Sequence, residues 1–189
     1  MAALLTACAD PGYGAQVVAV GADRPGAGGL DIARDAGVPT FAERVRDYPE
    51  RSDWDAALTE QVAAFEPDLV VSAGFLKLVG PRFLAAFGGR YVNTHNSLLP
   101  AFPGMAAPAE ALEYGVKVTG ATLFMVDDGV DTGAIIAQVV VPVLDEDDVA
   151  RLTERIKSAE REQLVAAVGR MVREGWQVDG RRVRLGPVE

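Results

Sequence analysis

Asn93 and His95 are the pair of side chains in this sequence best placed to do chemistry. They sit in the run Asn93-Thr94-His95-Asn96-Ser97-Leu98-Leu99-Pro100, which continues through Ala101-Phe102-Pro103-Gly104. His95 is the only histidine among 189 residues. Side chains alternate along an extended backbone, so Asn93 and His95 point to the same side. A carboxamide and an imidazole at a strand end can donate together to one developing oxyanion. Pro100, Pro103 and Gly104 then forbid regular structure and shape the next segment as a loop. Taken alone, Asn-x-His is also what a strand end carrying a core histidine looks like.

Composition bounds the chemistry. With 49% apolar and 24% charged residues, the chain has an ordinary globular profile rather than that of a disordered segment. Its length fits one α/β domain with a full core, taken as residues 1–189. A formal net charge of -9 argues against a broad nucleic-acid or membrane-binding face and leaves small molecules as the expected partners. It does not exclude an anionic ligand, which backbone amides can hold. One cysteine and one histidine cannot build a usual zinc site, so no metal is implied. Cys8 has no partner for an internal disulfide, as expected of a cytoplasmic protein. The segment before Cys8 superficially resembles a lipoprotein cleavage box, but it lacks a basic start and an apolar stretch of adequate length. No apolar run reaches the roughly 18 residues of a membrane span. Oligomeric state is left open.

The elements that must position the pair read as alternating helices and strands. Ala2 to Ala9 is the tail of a helix, and Val17-Val18-Ala19-Val20 a short buried strand. Leu30 to Ala36 is a helix closed by Gly37, followed by Val38 to Phe41 as a further element. Ser52 or Asp53 caps a helix to Phe65 whose inner face carries Trp54, Leu58, Val62 and Phe65. Leu69 to Ala73 is a strand of the parallel, fully buried type. Pro81 to Phe87 is a helix, and Tyr91-Val92 leads into the central run. A helical turn at Glu110 to Tyr114 precedes two β-branched strands, Thr119 to Val126 and Ile135 to Val143. A long helix runs to Arg173 behind the acidic stretch Asp145 to Asp148, with Leu152, Ile156, Ala159, Leu164, Val168 and Met171 as its buried stripe. A hairpin around Asp179-Gly180 closes the chain. This order implies an α/β fold, a doubly wound, mostly parallel sheet with ligands at the carboxyl ends of strands. A late antiparallel pair and a long C-terminal helix complete it.

Two further motifs accompany the central run: Gly115-Val116-Lys117-Val118-Thr119-Gly120-Ala121-Thr122, and Asp127-Asp128-Gly129-Val130-Asp131-Thr132-Gly133. In this order the three resemble the folate-dependent formyltransferases, from about the first helix to the end of the chain. The resemblance implies transfer of a formyl group from formyl-tetrahydrofolate to an amine. In the members most similar to this sequence the amine is glycinamide ribonucleotide of purine biosynthesis. Two alternatives stand beside it: a non-catalytic folate- or nucleotide-binding paralogue, and a transferase or formyl-folate hydrolase of the same fold acting on another substrate.

The resemblance also implies roles. His95 is the acid or oxyanion stabiliser, Asn93 a second donor that also meets the folate, and Asp131 the carboxylate that pairs with or orients His95. Read from the residues alone, Asp131 is a turn residue in a common Asp-Thr-Gly turn, and Asp127 and Asp128 are solvated loop charges. By resemblance Asp127, Asp128, Gly129 and Val130 line the pterin, and Leu76, Lys77, Leu78 and Val79 lie along the folate. Lys77 stands where the family often has arginine, which weakens planar stacking and bidentate hydrogen bonding. Arg51 matches a folate-contacting basic position and is also what a helix-start surface charge looks like. Lys157, Ser158, Ala159 and Glu160 match the region that meets the ribonucleotide, on what is otherwise a solvated helix face.

The sequence departs from the family in three further places. The family opens with a strand and a glycine-rich loop that holds the substrate phosphate, whereas this sequence begins inside the helix that follows. The expectation is therefore a native sequence longer at its N-terminus, with a degraded paralogue as the competing account. Without that strand, Val17 to Val20 and Leu69 to Ala73 would each be left with an unpaired edge. Met105-Ala106-Ala107-Pro108 stands where a His-Gly pair is common, and Asn96 replaces a common proline.

Overall fold

A computed structural model describes residues 1–186. The described residues form two compact units, divided between Tyr91 and Val92.

In the first unit, α1 (Ala2–Cys8) leads to β1 (Val20–Ala22), α2 (Gly28–Asp35) and β2 (Thr40–Ala42). β1 and β2 pair in parallel, Val20 opposite Thr40 and Ala22 opposite Ala42. Gly21 is required there: a Cβ at this position would lie 2.3 Å from the Phe41 ring. β1 begins at the last residue of the predicted strand, because Val20 is the first whose amide finds a partner, the Pro39 carbonyl at 2.9 Å. β3 (Val70–Ser72) falls inside the predicted Leu69 to Ala73, and β1 and β3 share no ladder.

α3 (Arg51–Ala63) starts earlier than the predicted cap. Its N-cap is Glu50, which makes no side-chain capping bond, while Ser52 and Asp53 already lie within the helix. Asp53 thus acts through its charge in the first turn, favourable at the positive helix end. Trp54 and Leu58 are buried as expected, with Trp54 0% exposed, so its truncation would cost about 3–5 kcal/mol. α4 (Pro81–Phe87) has proline in its first turn, where the missing N–H is no loss. Phe83 packs on Phe87 and, edge to face, on Tyr91 with ring centroids 5.2 Å apart.

The second unit begins inside β4 (Tyr91–His95), at Val92, and continues with β5 (Val118–Met125), β6 (Ile135–Pro142), β7 (Trp176–Asp179) and β8 (Arg182–Leu185), in the order β4-β5-β6-β8-β7. β5 runs antiparallel to both β4 and β6, which is the late antiparallel pair plus the strand carrying the central run. β8 meets β6 in parallel at Ile135 and Arg182. α5 (Ala107–Tyr114) is a full helix rather than a turn, because Pro108 falls in the first turn and Gly115, at φ 76°, closes the end. α6 (Val149–Glu174) is the long C-terminal helix, its Asp148 cap accepting the Arg151 amide at 2.8 Å. Its stripe is buried at Leu152, Ile156, Leu164, Val168 and Met171, while Ala159 is partly covered. Leu152 and Ile156 close over Ala121 of β5 and Val141 of β6. This packing fixes the sheet from which the central loop departs.

Candidate active site

β4 delivers Asn93, half-buried, and His95, 8% exposed, at the carboxyl end of the strand. Asn93 lies opposite Phe124 and His95 opposite Thr122 of β5. Nε2 of His95 stands 2.7 Å from the Phe102 carbonyl. A carbonyl can only accept, so this nitrogen carries the proton in the arrangement observed. Nδ1 faces the Asp131 carboxylate at 3.5 Å. The structure therefore brings together an imidazole and a carboxylate drawn from two different motifs.

Asp131 is held from two sides. Its Oδ2 accepts the Gly104 amide at 2.8 Å, and its backbone lies in the left-handed region at φ 55°. Aspartate tolerates that region better than most side chains, and bonds around Asp131 hold it there. The next residues supply the constraint. Thr132 Oγ1 donates to Asp127 Oδ1 at 2.7 Å, the same oxygen that accepts the Gly129 amide at 3.1 Å. Gly133 runs so close to β5 that a Cβ there would lie 1.6 Å from the Met125 carbonyl. Asp127 is thus an exposed turn-former that shapes the loop from outside, while Asp128 and Val130 are exposed.

The loop after β4 rests on a polar network that motif reading alone did not single out. Thr122 Oγ1 donates to the Ser97 carbonyl at 2.7 Å and accepts the Leu99 amide at 3.0 Å. Gln138 Nε2 reaches the same hydroxyl at 3.0 Å and the Leu99 carbonyl at 2.9 Å. Ser97 Oγ donates to the Ala101 carbonyl at 2.5 Å. These bonds fix residues 97 to 101, and so place the Phe102 carbonyl that orients the His95 ring. Thr122 read only as a β-branched strand former; its position opposite His95 is a matter of register, which sequence does not print.

Of the α6 residues, Lys157 and Ser158 are exposed, Lys157 pairing with Glu154 at 3.4 Å. Ala159 packs towards the core. Glu160 is different: burial pushes its carboxyl above the usual range, opposed by a hydrogen bond from the Thr94 hydroxyl and by nearby Lys157 and Arg161. Thr94 lies between Asn93 and His95, so Glu160 is tied to the strand that carries both.

In the first unit, the predicted folate residues cluster among themselves. Arg51 donates through Nη2 to the Leu78 carbonyl, and its guanidinium lies 5.1 Å from the centroid of the Trp54 ring. Leu76 and Leu78 are 69% and 61% exposed, and Lys77 Nζ approaches Asp23 at 4.0 Å. Val79 is half-buried. Sequence reading missed Asp55, which is buried and accepts the Gly80 and Arg82 amides at 2.7 and 2.9 Å. It caps α4 from a distance and so anchors the end of the Leu76 to Val79 segment. The available signal was a carboxylate beside Trp54 on the inner side of a helix.

Among the described residues there is no group of three or more histidine, cysteine, aspartate or glutamate side chains that could hold a metal ion. No helix among the described residues is long and apolar enough to cross a membrane.

A mixed α/β fold presenting an imidazole, a carboxamide on the same strand and a carboxylate from a strand-to-strand loop has the parts of an acyl-transfer enzyme. Comparison with known proteins narrows that class. A family model for formyl transferases matches residues 1–168. Phosphoribosylglycinamide formyltransferase of Mycobacterium tuberculosis H37Rv is 56% identical over 174 residues, covering 92% of this chain and 80% of that one. The trifunctional purine biosynthetic protein adenosine-3 of Homo sapiens is 39% identical over 166 residues, 88% of this chain and 16% of that protein. The crystal structure of glycinamide ribonucleotide transformylase 1 from Symbiobacterium toebii matches with a TM-score of 0.94 at 42% identity, over 98% of this chain and 88% of that one. The chain belongs to the formyl transferase family, whose co-substrate is formyl-folate.

Proposed function

We propose that this protein transfers the formyl group of formyl-tetrahydrofolate to the amine of glycinamide ribonucleotide. The relatives named for that reaction support the substrate, and the His95–Asp131 pair at the end of β4 carries the chemistry. The amine attacks the formyl carbon, a carbon–nitrogen bond forms, and the bond from the formyl carbon to the folate nitrogen breaks. Between these events the formyl oxygen bears negative charge, the amine must lose a proton, and the departing folate nitrogen must gain one.

His95 Nε2 is engaged by the Phe102 carbonyl, which leaves Nδ1 as the nitrogen offered to the reacting groups. Nδ1 and the Asn93 carboxamide donate to the developing oxyanion, and Asp131 stabilises the charged ring and takes up the amine proton through water. Leu76 and Leu78, exposed beside Arg51, Lys77 and Val79, offer an apolar surface to the folate. The loop Asp127, Asp128, Gly129 and Val130 lines the pterin. Lys157, Ser158, Ala159 and Glu160 form the ribonucleotide-binding region, in which Glu160 is the residue tied to β4.

The family match crosses the boundary between the two compact units, which supports reading residues 1–189 as one formyltransferase domain. Its substrates are small molecules, and a cytoplasmic location suits a purine-biosynthetic enzyme. The test is direct assay of the purified, tag-free protein with formyl-tetrahydrofolate and glycinamide ribonucleotide. Stoichiometric appearance of formylated ribonucleotide and tetrahydrofolate is expected. Binding of folate without product would overturn the enzymatic reading, and product only with a different amine would overturn the substrate.

A further inference from the structure

Arg181 sits at the turn between β7 and β8, directly after Gly180, whose φ of 55° closes the hairpin. Its Nη1 donates to the Thr132 carbonyl at 2.9 Å. Thr132 follows Asp131, so the guanidinium grips the peptide adjoining the residue held in the left-handed region. The other end of Thr132, its hydroxyl, is held by Asp127 at 2.7 Å. β8 also joins β6 through the single parallel bridge at Ile135 and Arg182, just beyond the same loop. Two attachments therefore fix the hairpin against the segment that carries Asp131.

We infer that Arg181 is a positioning residue for Asp131, and that the C-terminal hairpin serves as a brace for this loop. The left-handed backbone at Asp131 is tolerable for aspartate, and its placement is set by the bonds that hold Thr132 at its hydroxyl and its carbonyl. Removing the Arg181 bond lets the peptide after Asp131 rotate, and the carboxylate drifts from both the Gly104 amide and the His95 ring. The contact is exposed, so its effect falls on placement more than on global stability. Misplacement of a catalytic group by about 1 Å can cost on the order of a hundredfold in rate, and a single exposed bond accounts for part of that. This inference rests on the catalytic reading of Asp131 given above.

Four tag-free proteins test it: Arg181→Ala, Arg181→Lys, Asp131→Asn and the double variant Arg181→Ala/Asp131→Asn. Turnover is measured alongside thermal unfolding and the NMR signals of the His95 imidazole, which is the only histidine ring in the chain. Arg181→Ala is expected to lower kcat roughly tenfold, with KM for both substrates within about twofold. It is also expected to move the imidazole signals towards those of Asp131→Asn. Arg181→Lys, which keeps a donor for the carbonyl, recovers most of the loss. In the Asp131→Asn background, Arg181→Ala adds nothing. Unchanged kcat and unchanged imidazole signals in Arg181→Ala, with both altered in Asp131→Asn, overturn the positioning role alone. Full turnover in Asp131→Asn instead overturns the catalytic role of Asp131 and the inference built on it. Equal losses in Arg181→Ala with or without Asp131 assign Arg181 to another task and overturn the inference as well.

Discussion

The Phe102 carbonyl and the Asp131 carboxylate address the two ring nitrogens of His95, one at 2.7 Å and the other at 3.5 Å. The first contact is a full hydrogen bond that fixes the ring. The second is long enough for the carboxylate to act on the ring by charge while Nδ1 remains open to a reacting oxygen. His95→Ala should therefore reduce turnover by about two or more orders of magnitude while folate binding is largely kept. Steady-state kinetics together with equilibrium folate titration check this. Turnover near that of the parent protein would remove His95 from the mechanism.

Asp55 organises the other unit. It satisfies two amides at the start of α4, and a Cβ on Gly80 would lie 2.5 Å from its carboxyl group. Asp55→Ala leaves those amides without their acceptor, at a cost of about 1–3 kcal/mol. The Leu76 to Val79 segment also loses its anchor, so KM for the folate should rise more than kcat falls. Denaturant unfolding and a substrate-by-substrate kinetic comparison separate the two effects. A change in kcat alone would contradict the anchoring role.

Residues whose roles follow from local pattern were legible before any coordinates. The α6 stripe, the alternation that puts Asn93 and His95 on one side, and the hairpin at Asp179-Gly180 follow from periods and turn chemistry. Helix starts were less legible. Ser52 and Asp53 have capping side chains, yet the helix begins before them and leaves Glu50 as an N-cap without a capping bond. What stayed hidden depends on distant partners. Asp131 looks like any turn aspartate until the loop folds back to Gly104 and His95. Thr122, Gln138 and Arg181 look like a strand former, a polar strand residue and a surface charge. Each acts through a bond to a backbone carbonyl remote in the chain. A carbonyl has no sequence signature, so such roles cannot be read from residue types.

Asp147 gives a pH-dependent stability signal away from the chemistry. Both of its oxygens receive the Arg155 guanidinium at 2.7 Å, and the Leu144 amide adds a bond at 2.8 Å. These bonds, the guanidinium first, hold the carboxyl down to about 2. Because the folded value lies below that of the unfolded chain, the contribution is present above the ordinary aspartate range, near pH 4, and is lost as pH falls towards about 2. Asp147→Asn should flatten this acid limb. Thermal unfolding from pH 5 down to pH 2 is the measurement, and parallel curves for the two proteins would refute the assignment.

Glu160 carries the opposite sign. Burial raises its carboxyl above the usual range, and the Thr94 hydroxyl bond only partly compensates. A raised folded value means that stability is fullest below the ordinary glutamate range and declines as pH rises through the higher one, because the charge must then be held in a poorly solvated place. A residue with this cost is well suited to meet a hydroxyl or amine of a bound ligand, which would solvate the carboxylate in place of water. Glu160→Gln removes the charge and keeps the shape. At neutral pH the variant should melt at the same temperature as the parent or higher, and the gap should close as pH falls below about 4.3, the ordinary glutamate value. Its KM for glycinamide ribonucleotide should rise by roughly tenfold, the loss of one charge-assisted hydrogen bond, with KM for the folate unchanged. The two readouts bear on different claims. A melting temperature well below the parent at neutral pH would show that the carboxylate is net stabilising where it lies, and an unchanged ribonucleotide KM would remove Glu160 from the binding region.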